Sequence, residues 1–519
     1  MRTPQRRLTR QQVSRTLSVS APVAGWNARD SLAEMGPTDA VGIDNFFCTP
    51  YDVMVRFGFS LWATGIPGTV NTVASYSPPV GGIKLFAAAG SNVYDATNPG
   101  AVGAPVITGA TSDKWQHVNF GTAGGNFMYL VNGSDAPQLF NGTTWQAVTA
   151  VSAPVSITGV TASNLINVTA FKARLWFIER NSMKAWYLPT LSVGGTAASL
   201  DLSSLFTKGG YLMSMGNWSL DAGYGMDDYA VFVTSEGQVA VYKGTDPASA
   251  TTWALIGIYD IGSPIGRRCL MKYAGDLTLI CKDGLAPLSK SLMSSRVNSM
   301  EMLTDKIQHV VSDYTTLYAA NFGWETALFP QENMLLVNVP TSPTTSYQLV
   351  MNTISGAWSR FIGWNASCFE LHGDELFFGS SGGVCKAWDT QADNGTNIDF
   401  EAQQSFNYFG ARSQLKQVKM LRPLISTDGS SSVLLGVNTD FDTTAPTGIP
   451  TFSPTAGAAW DISVWDGMDT WSGDLAIKKD WQTAFGLGYC ISAHIKGAAK
   501  NSKLRWAATD YLVDDGGVI

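Results

Sequence analysis

The chain has 519 residues, 45 % hydrophobic and only 14 % charged, with 34 Lys and Arg set against 41 Asp and Glu for a formal net charge of −7. That composition supplies a large core and argues against a general nucleic-acid binder, which needs a basic face. Few charges together with 52 Gly, 17 Trp, 17 Tyr and 24 Phe suit short strands and tight turns, and disfavour long amphipathic helices.

Residues 1–20 place Arg2, Arg6, Arg7, Arg10 and Arg15 among Gln, Ser and Thr. A polar stretch stands where the apolar part of a secretory signal belongs, so the chain reads as cytoplasmic at synthesis. The segment lacks a hydrophobic period and is expected to be a flexible basic arm, with Arg6, Arg7 and Arg10 as candidates for docking on a neighbouring subunit. Residues 21–80 are expected to be an N-terminal β segment completing a propeller or a platform.

From 81 to 395 one pattern recurs: an apolar strand, a Gly/Asn/Asp/Ser turn, a second strand, a polar turn. The hairpins open at Leu85, Phe127, Leu175, Tyr229, Leu277, Met334 and Leu376. Their turns carry Gly90-Ser91, Asn132-Gly133, Glu236-Gly237, Asp283-Gly284 and Gly382-Gly383, residues that tolerate the positive φ of tight hairpins. A strand-built repeat of roughly 40–50 residues is the spacing of a β-propeller blade. The expected fold is therefore mainly β, a β-propeller of six or seven blades, with a β-sandwich or several small β domains as the alternative. The segment from Thr304 to Tyr318 breaks the pattern. Ile307, Val310, Val311 and Tyr314 share a helical face, so one short helix is expected there, with Thr304 as its N-cap.

After about 395 the character changes. Strands are expected over 399–409, 416–426, 433–437, 489–496 and 503–511, giving an additional antiparallel β platform unit over 396–519. Trp460, Trp465, Trp471 and Trp481 cluster within it and are candidates for core or subunit interface.

Chemistry is sparse. The longest apolar runs, such as Leu175–Ile178 and Met334–Val339, fall far short of the ~20 residues of a membrane span. Six scattered cysteines form no Cys-x-x-Cys pair, which argues against a zinc site or a disulfide framework; Cys269 and Cys281, set about one hairpin turn, read as buried free thiols. His117, His309, His372 and His494 are isolated, and no phosphate loop or nucleophile elbow occurs. The basic clusters Gly266-Arg267-Arg268 and Lys416–Lys419 read as solvated faces or subunit contacts. No catalytic residue, cofactor or metal ligand is assigned, and the chain reads as a non-enzyme.

Three stretches carry a resemblance. SAPVAGWNARDSLAEMGPTDAVGIDNFFCTPYDVMVRFG, Ser20 to Gly58, resembles the start of a family of short-tailed bacteriophage structural proteins. VMNTISGAWSRFIGW, Val350 to Trp364, with the following Leu376-Phe377-Phe378-Gly379 and Gly383-Val384, and the closing Leu504-Arg505-Trp506 with its Gly-rich end resemble the same family. It is the family of tail nozzle or hub proteins, also called tail tubular protein B. The resemblance implies a virion protein assembled in the bacterial cytoplasm: a homo-hexameric ring below the portal and adaptor. Such a ring bears tail fibres, and double-stranded DNA leaves through it without sequence readout. Two rivals remain, a receptor- or glycan-binding tail propeller and a polysaccharide-degrading propeller enzyme.

Overall fold

The computed structural model of the protein describes residues 14–221, 226–293, 301–429, 431–448, 476–478 and 480–515. Two compact units emerge. One comprises the described residues of Met1–Phe57, Ile354–Arg360 and Gln391–Ile519, the other those of Gly58–Thr353 and Phe361–Thr390.

The second unit is a β-propeller. Its first strands are Phe59–Tyr76, Gln116–Thr122, Leu165–Phe171, Leu212–Asp221, Leu270–Tyr273, Glu325–Phe329 and Cys368–His372. Each touches the next, and the last touches the first, so seven strands close a ring. From most of them an antiparallel meander runs outward. Gln116–Thr122, Gly125–Val131, Gln138–Phe140 and Trp145–Ala147 make one blade, and Leu212–Asp221, Met226–Thr234, Gln238–Gly244 and Trp253–Asp260 another.

This architecture explains why the hairpin strands read as unbroken apolar runs. A blade is covered on both faces, so alternate residues enter different cores. In Arg174–Glu179, Leu175 and Phe177 join Tyr129, Val131 and Leu139 of the preceding blade. Trp176 and Ile178 point the other way and join Phe232, Tyr242 and Trp253 of the following one. Trp176 and Trp253 stack with centroids 5.5 Å apart. In Gly125–Val131, Met128 and Leu130 pack back against Phe86 and Ala88, while Tyr129 and Val131 pack forward.

The ring closes by sharing one strand. Phe59–Tyr76 spends its first part paired with Glu375–Ala387, from the far end of the domain, and its second part paired with Lys84–Ala89. The final blade thus takes strands from both ends of the unit. Here the expected Gly382-Gly383 turn is corrected: both residues lie inside the strand Glu375–Ala387, at a register shift between Ser381 and Gly383. Gly383 serves close approach instead of chain reversal, while Gly382 faces open space and is needed for its positive φ of 99°. A Cβ at Gly383 would collide with the Ala63 carbonyl oxygen, and one at Gly379 with that of Val70. Gly383→Ala should therefore destabilise the closing blade by about 3 kcal/mol. Hydrogen exchange should report the loss first in amides of 59–69 and 381–387; unchanged protection there would count against this closure.

Two further expectations shift. The helix is present as a 3₁₀ turn Asp305–Ile307 followed by Gln308–Tyr318, with Ile307 and Val311 buried. Thr304 does not cap it: its buried hydroxyl accepts from the Leu285 amide at 3.2 Å. A six-residue helix, Leu288–Met293, precedes it. The domain boundaries also move. The propeller begins at Gly58, not 81, and the other unit takes Ile354–Arg360 and everything from Gln391.

That other unit is the expected platform, built as two sheets around one core. Lys416–Thr427 pairs with Leu504–Asp515, and Ile398–Gln404 with Ile491–Ala499. Alternation in Lys416–Thr427 sends Val418, Leu421 and Ile425 inward to meet Phe46, Phe400, Ile495 and Trp506. The arm expected over 1–20 is shortened, because Arg15–Ser20 is a strand paired along Leu504–Asp515. Val19 is buried beneath it, and Arg15 reaches Asp515 at 2.9 Å.

Candidate functional site

The propeller's centre is the chemically richest place in the molecule. The seven inner strands do not hydrogen-bond to one another as a sheet, so their edges must be satisfied otherwise. Asparagine and threonine side chains bridge the gaps. Asn119 Nδ2 donates to the Ser75 carbonyl at 2.8 Å, Thr169 Oγ1 to that of Met215 at 2.9 Å, and Asn217 Nδ2 to that of Ala170 at 3.1 Å.

Between them lies a cavity of about 280 Å³. Its charged groups come from four different blades. Arg268, just ahead of its inner strand, donates through Nη1 to Glu325 Oε2 at 3.1 Å. Through Nη2 it donates to Thr72 Oγ1 at 2.8 Å and to the carbonyls of Trp115 at 3.0 Å and Asn71 at 3.1 Å. Glu325 also accepts from the Phe369 amide at 3.2 Å. Burial pushes the Glu325 carboxyl above its ordinary range, and Arg268 only partly offsets this. Burial would lower the Arg268 guanidinium, but the Glu325 charge holds it up.

A second pair sits alongside. His117 Nε2 lies 3.3 Å from Glu370 Oε1, which also accepts from the Ser75 amide. Burial alone would lower the His117 pKa; the charge and hydrogen bond of Glu370 outweigh it, and the net value is raised. His372, bonded through Nδ1 to Ser75 Oγ at 2.9 Å, is lowered by burial, against the pull of Glu370 and Glu375.

The sign of the His117 effect gives a test. A His raised above its unfolded value stabilises fully below about pH 6.5, and this is lost as pH rises through the folded value. Glu370→Gln should therefore destabilise the propeller more at pH 6 than at pH 8. Urea titrations at the two pH values measure this, and a deficit that grows with pH would contradict the pairing.

Isolated in the sequence, these residues meet only because the ring closes. One signal was present: Gly266-Arg267-Arg268 stood out, but as a solvated face. That reading is corrected for Arg268, which faces the channel. It is corrected for Lys416 as well, whose buried Nζ donates to the carbonyls of Ala411, Gln414 and Tyr489 at 2.6–2.9 Å. Both cations are buried because ring and sandwich each leave carbonyls that need a charged donor.

The candidate interface residues are partly placed. Arg6, Arg7, Arg10, Trp460, Trp465 and Trp471 lie outside the described residues. Trp481 is half-buried, with the Arg422 guanidinium 4.9 Å above its ring and Arg422 anchored on Asp510 at 2.6 Å. Beside it, Ile477, Phe485 and Leu487 on the edge strands of that sheet are exposed, Phe485 to 73 %. Among the described residues no Trp is exposed, no group of three His, Cys, Asp or Glu could hold a metal, and no helix is long and apolar enough to cross a membrane.

No family model matches the chain, and no curated protein matches it. Solved structures similar to it include BBS1N in complex with ARL6DN, with TM-score 0.38 and 9 % identity, covering 64 % of this chain and 96 % of that one. YCF48 bound to D1 peptide is similar at TM-score 0.37 and 11 % identity, with coverages of 67 % and 97 %. The β-propeller domain of Cps50 (Swd1) from Myceliophteria thermophila is similar at TM-score 0.38 and 10 % identity, with coverages of 63 % and 98 %.

Proposed function

We propose that the protein is a structural subunit of a short-tailed bacteriophage tail, a nozzle or hub that assembles as a ring below the portal and adaptor. One observation supports this most. Parts of the three stretches that resemble that family, far apart in sequence, meet in the platform unit: most of Ser20 to Gly58, Ile354–Arg360, and Leu504 to Trp506. Gly25 pairs with Trp358, and Arg360 forks onto Asp44 with both contacts at 2.7 Å. Arg505 and Trp506 pair with Met54 and Val53, and Arg505 reaches Asp52 at 3.2 Å. The rings of Phe46 and Trp506 lie 6.4 Å apart.

The exposed edge with Ile477, Phe485 and Leu487 suits a ring subunit, because a closed ring needs complementary apolar flanks. The cavity between the propeller's inner strands, about 280 Å³, is far too small to pass a DNA duplex, so in this reading DNA passes along the axis of the ring, outside the propeller. A glycan-binding propeller would display an isolated aromatic platform, and no described Trp is so placed.

Mass and symmetry test the reading, by light scattering and negative-stain imaging of the protein alone and with virions. A ring, or density at the tail below the portal, is expected. A monomer that never joins particles but binds or cuts glycan would sink it.

A further inference from the structure

We propose that the mouth of the propeller channel is a binding site for an oxyanion, a carboxylate or phosphate group held between Arg267 and Lys114. A concavity of about 360 Å³ opens beside the central cavity, and the two share Gln116, Arg267 and Arg268 in their walls. Lys114, Asn321 and Phe322 complete the part that matters here, and among the described residues no Asp or Glu lines it.

The charges do not balance within this pocket. Arg268 is committed to Glu325. Arg267 places Nη1 on the Asn132 carbonyl at 3.2 Å, one of the five donors a guanidinium carries. Lys114 sits with Nζ 4.4 Å from the centroid of Phe322, a contact that positions an ammonium without neutralising it. Nearby carboxylates are engaged elsewhere. Asp113 accepts from Asn71 Nδ2 at 2.9 Å and the Gly90 amide at 2.7 Å. Asp135 accepts from the Thr111 amide at 2.8 Å, the Ser112 amide at 3.3 Å and Asn132 Nδ2 at 2.7 Å.

In a chain of net charge −7, two cations that line one pocket and have no acidic partner among the described residues go against the composition. Burial weakens the protonation of Arg267, and Arg180 repels it. An anion would relieve both, since burying an unpaired charge is costly and pairing it is not. The planar Arg fork matches the two oxygens of a carboxylate or phosphate, with Lys114 as the point charge opposite.

Isothermal titration of the full chain with inorganic phosphate, and separately with glutarate, at ionic strength fixed with sodium chloride, tests this. Saturable binding of at least one is expected, weakened about tenfold or more in Lys114→Gln and Arg267→Gln and unchanged in the control Lys290→Gln. Glutarate binding ahead of phosphate assigns the site to acidic side chains, and the reverse order to phosphate. Absence of saturable binding by either, or wild-type binding in both pocket variants, overturns the proposal. Should Arg267→Gln lose its fold by circular dichroism, Lys114→Gln decides alone, because its side chain is exposed. The outcome is independent of the tail reading, whose matched stretches include none of the residues lining this pocket.

Discussion

Replacing Arg56 by methionine is expected to destabilise the platform unit by about 3–5 kcal/mol. The Arg56 side chain is 0 % exposed, and its guanidinium forks onto Asp393 with both contacts at 2.7 Å. Nε donates to Asn45 Oδ1 at 2.8 Å, and Nη1 also to the Phe57 carbonyl at 3.0 Å. Asn45 in turn donates to the Asp399 carbonyl at 2.7 Å, so the cation ties the loop around Asp393 to two strand ends. Removing it strands a carboxylate whose side chain is only 11 % exposed. The loss of the partner, more than the loss of attraction, sets the size of the effect. Arg56→Lys should recover little, because a point charge cannot reproduce the fork. The double variant Arg56→Met, Asp393→Leu should recover most of the stability, since a buried ion pair exchanged for apolar groups is close to neutral. Hydrogen exchange over 53–55 and 398–404, with propeller amides as the internal reference, reads all three. A double variant as unstable as the single one would show that the pair is not the unit of interaction.

How much of this was legible in the sequence follows from which interactions are local. The hairpins were readable because strand alternation and turn residues lie within a few positions of each other, as in Phe127–Phe140 around Asn132-Gly133. The closure was not readable. Phe59–Tyr76 is a single strand of 18 residues that contains Gly65, Pro67 and Gly68, each a breaker by local chemistry. Its first part is held by Glu375–Ala387, over 300 positions away, and these three residues fall where that pairing jumps register. The same ambiguity misled at Gly382-Gly383, because glycine marks both a positive-φ turn and a close backbone approach. In the platform unit the five strands expected after 395 are present with ends shifted by up to five residues, but Gln482–Gly488 was missed, as was the membership of Ile354–Arg360. The channel cluster was illegible for a stronger reason. His117, Arg268, Glu325 and Glu370 have no mutual spacing that signals chemistry; only a ring of seven strands makes them neighbours.

Arg268→Met is expected to have a comparable effect on the propeller, about 3–5 kcal/mol at neutral pH, and a characteristic pH dependence. Arg268 reaches Glu325 on one blade, Thr72 and the Asn71 carbonyl on another, and the Trp115 carbonyl at the entry to a third. Its loss removes a tie across the ring as well as a charge. Glu325, already raised by burial, then loses its chief counter-charge, and its pKa rises further. A carboxyl raised above its unfolded value stabilises fully only below that value, near pH 4.5, and this is lost as pH climbs through the folded one. The deficit of Arg268→Met relative to wild type should thus be smallest in mild acid, where only the missing ties count, and grow toward neutrality. Arg268→Met, Glu325→Gln should lose that growth while keeping the part due to the missing ties to Thr72 and the two carbonyls. Urea midpoints taken from about pH 4.5 to pH 8 separate the two contributions. A deficit flat across that range would mean that Glu325 finds water or another donor once Arg268 is gone, and that the ring is held at its centre by hydrogen bonding alone.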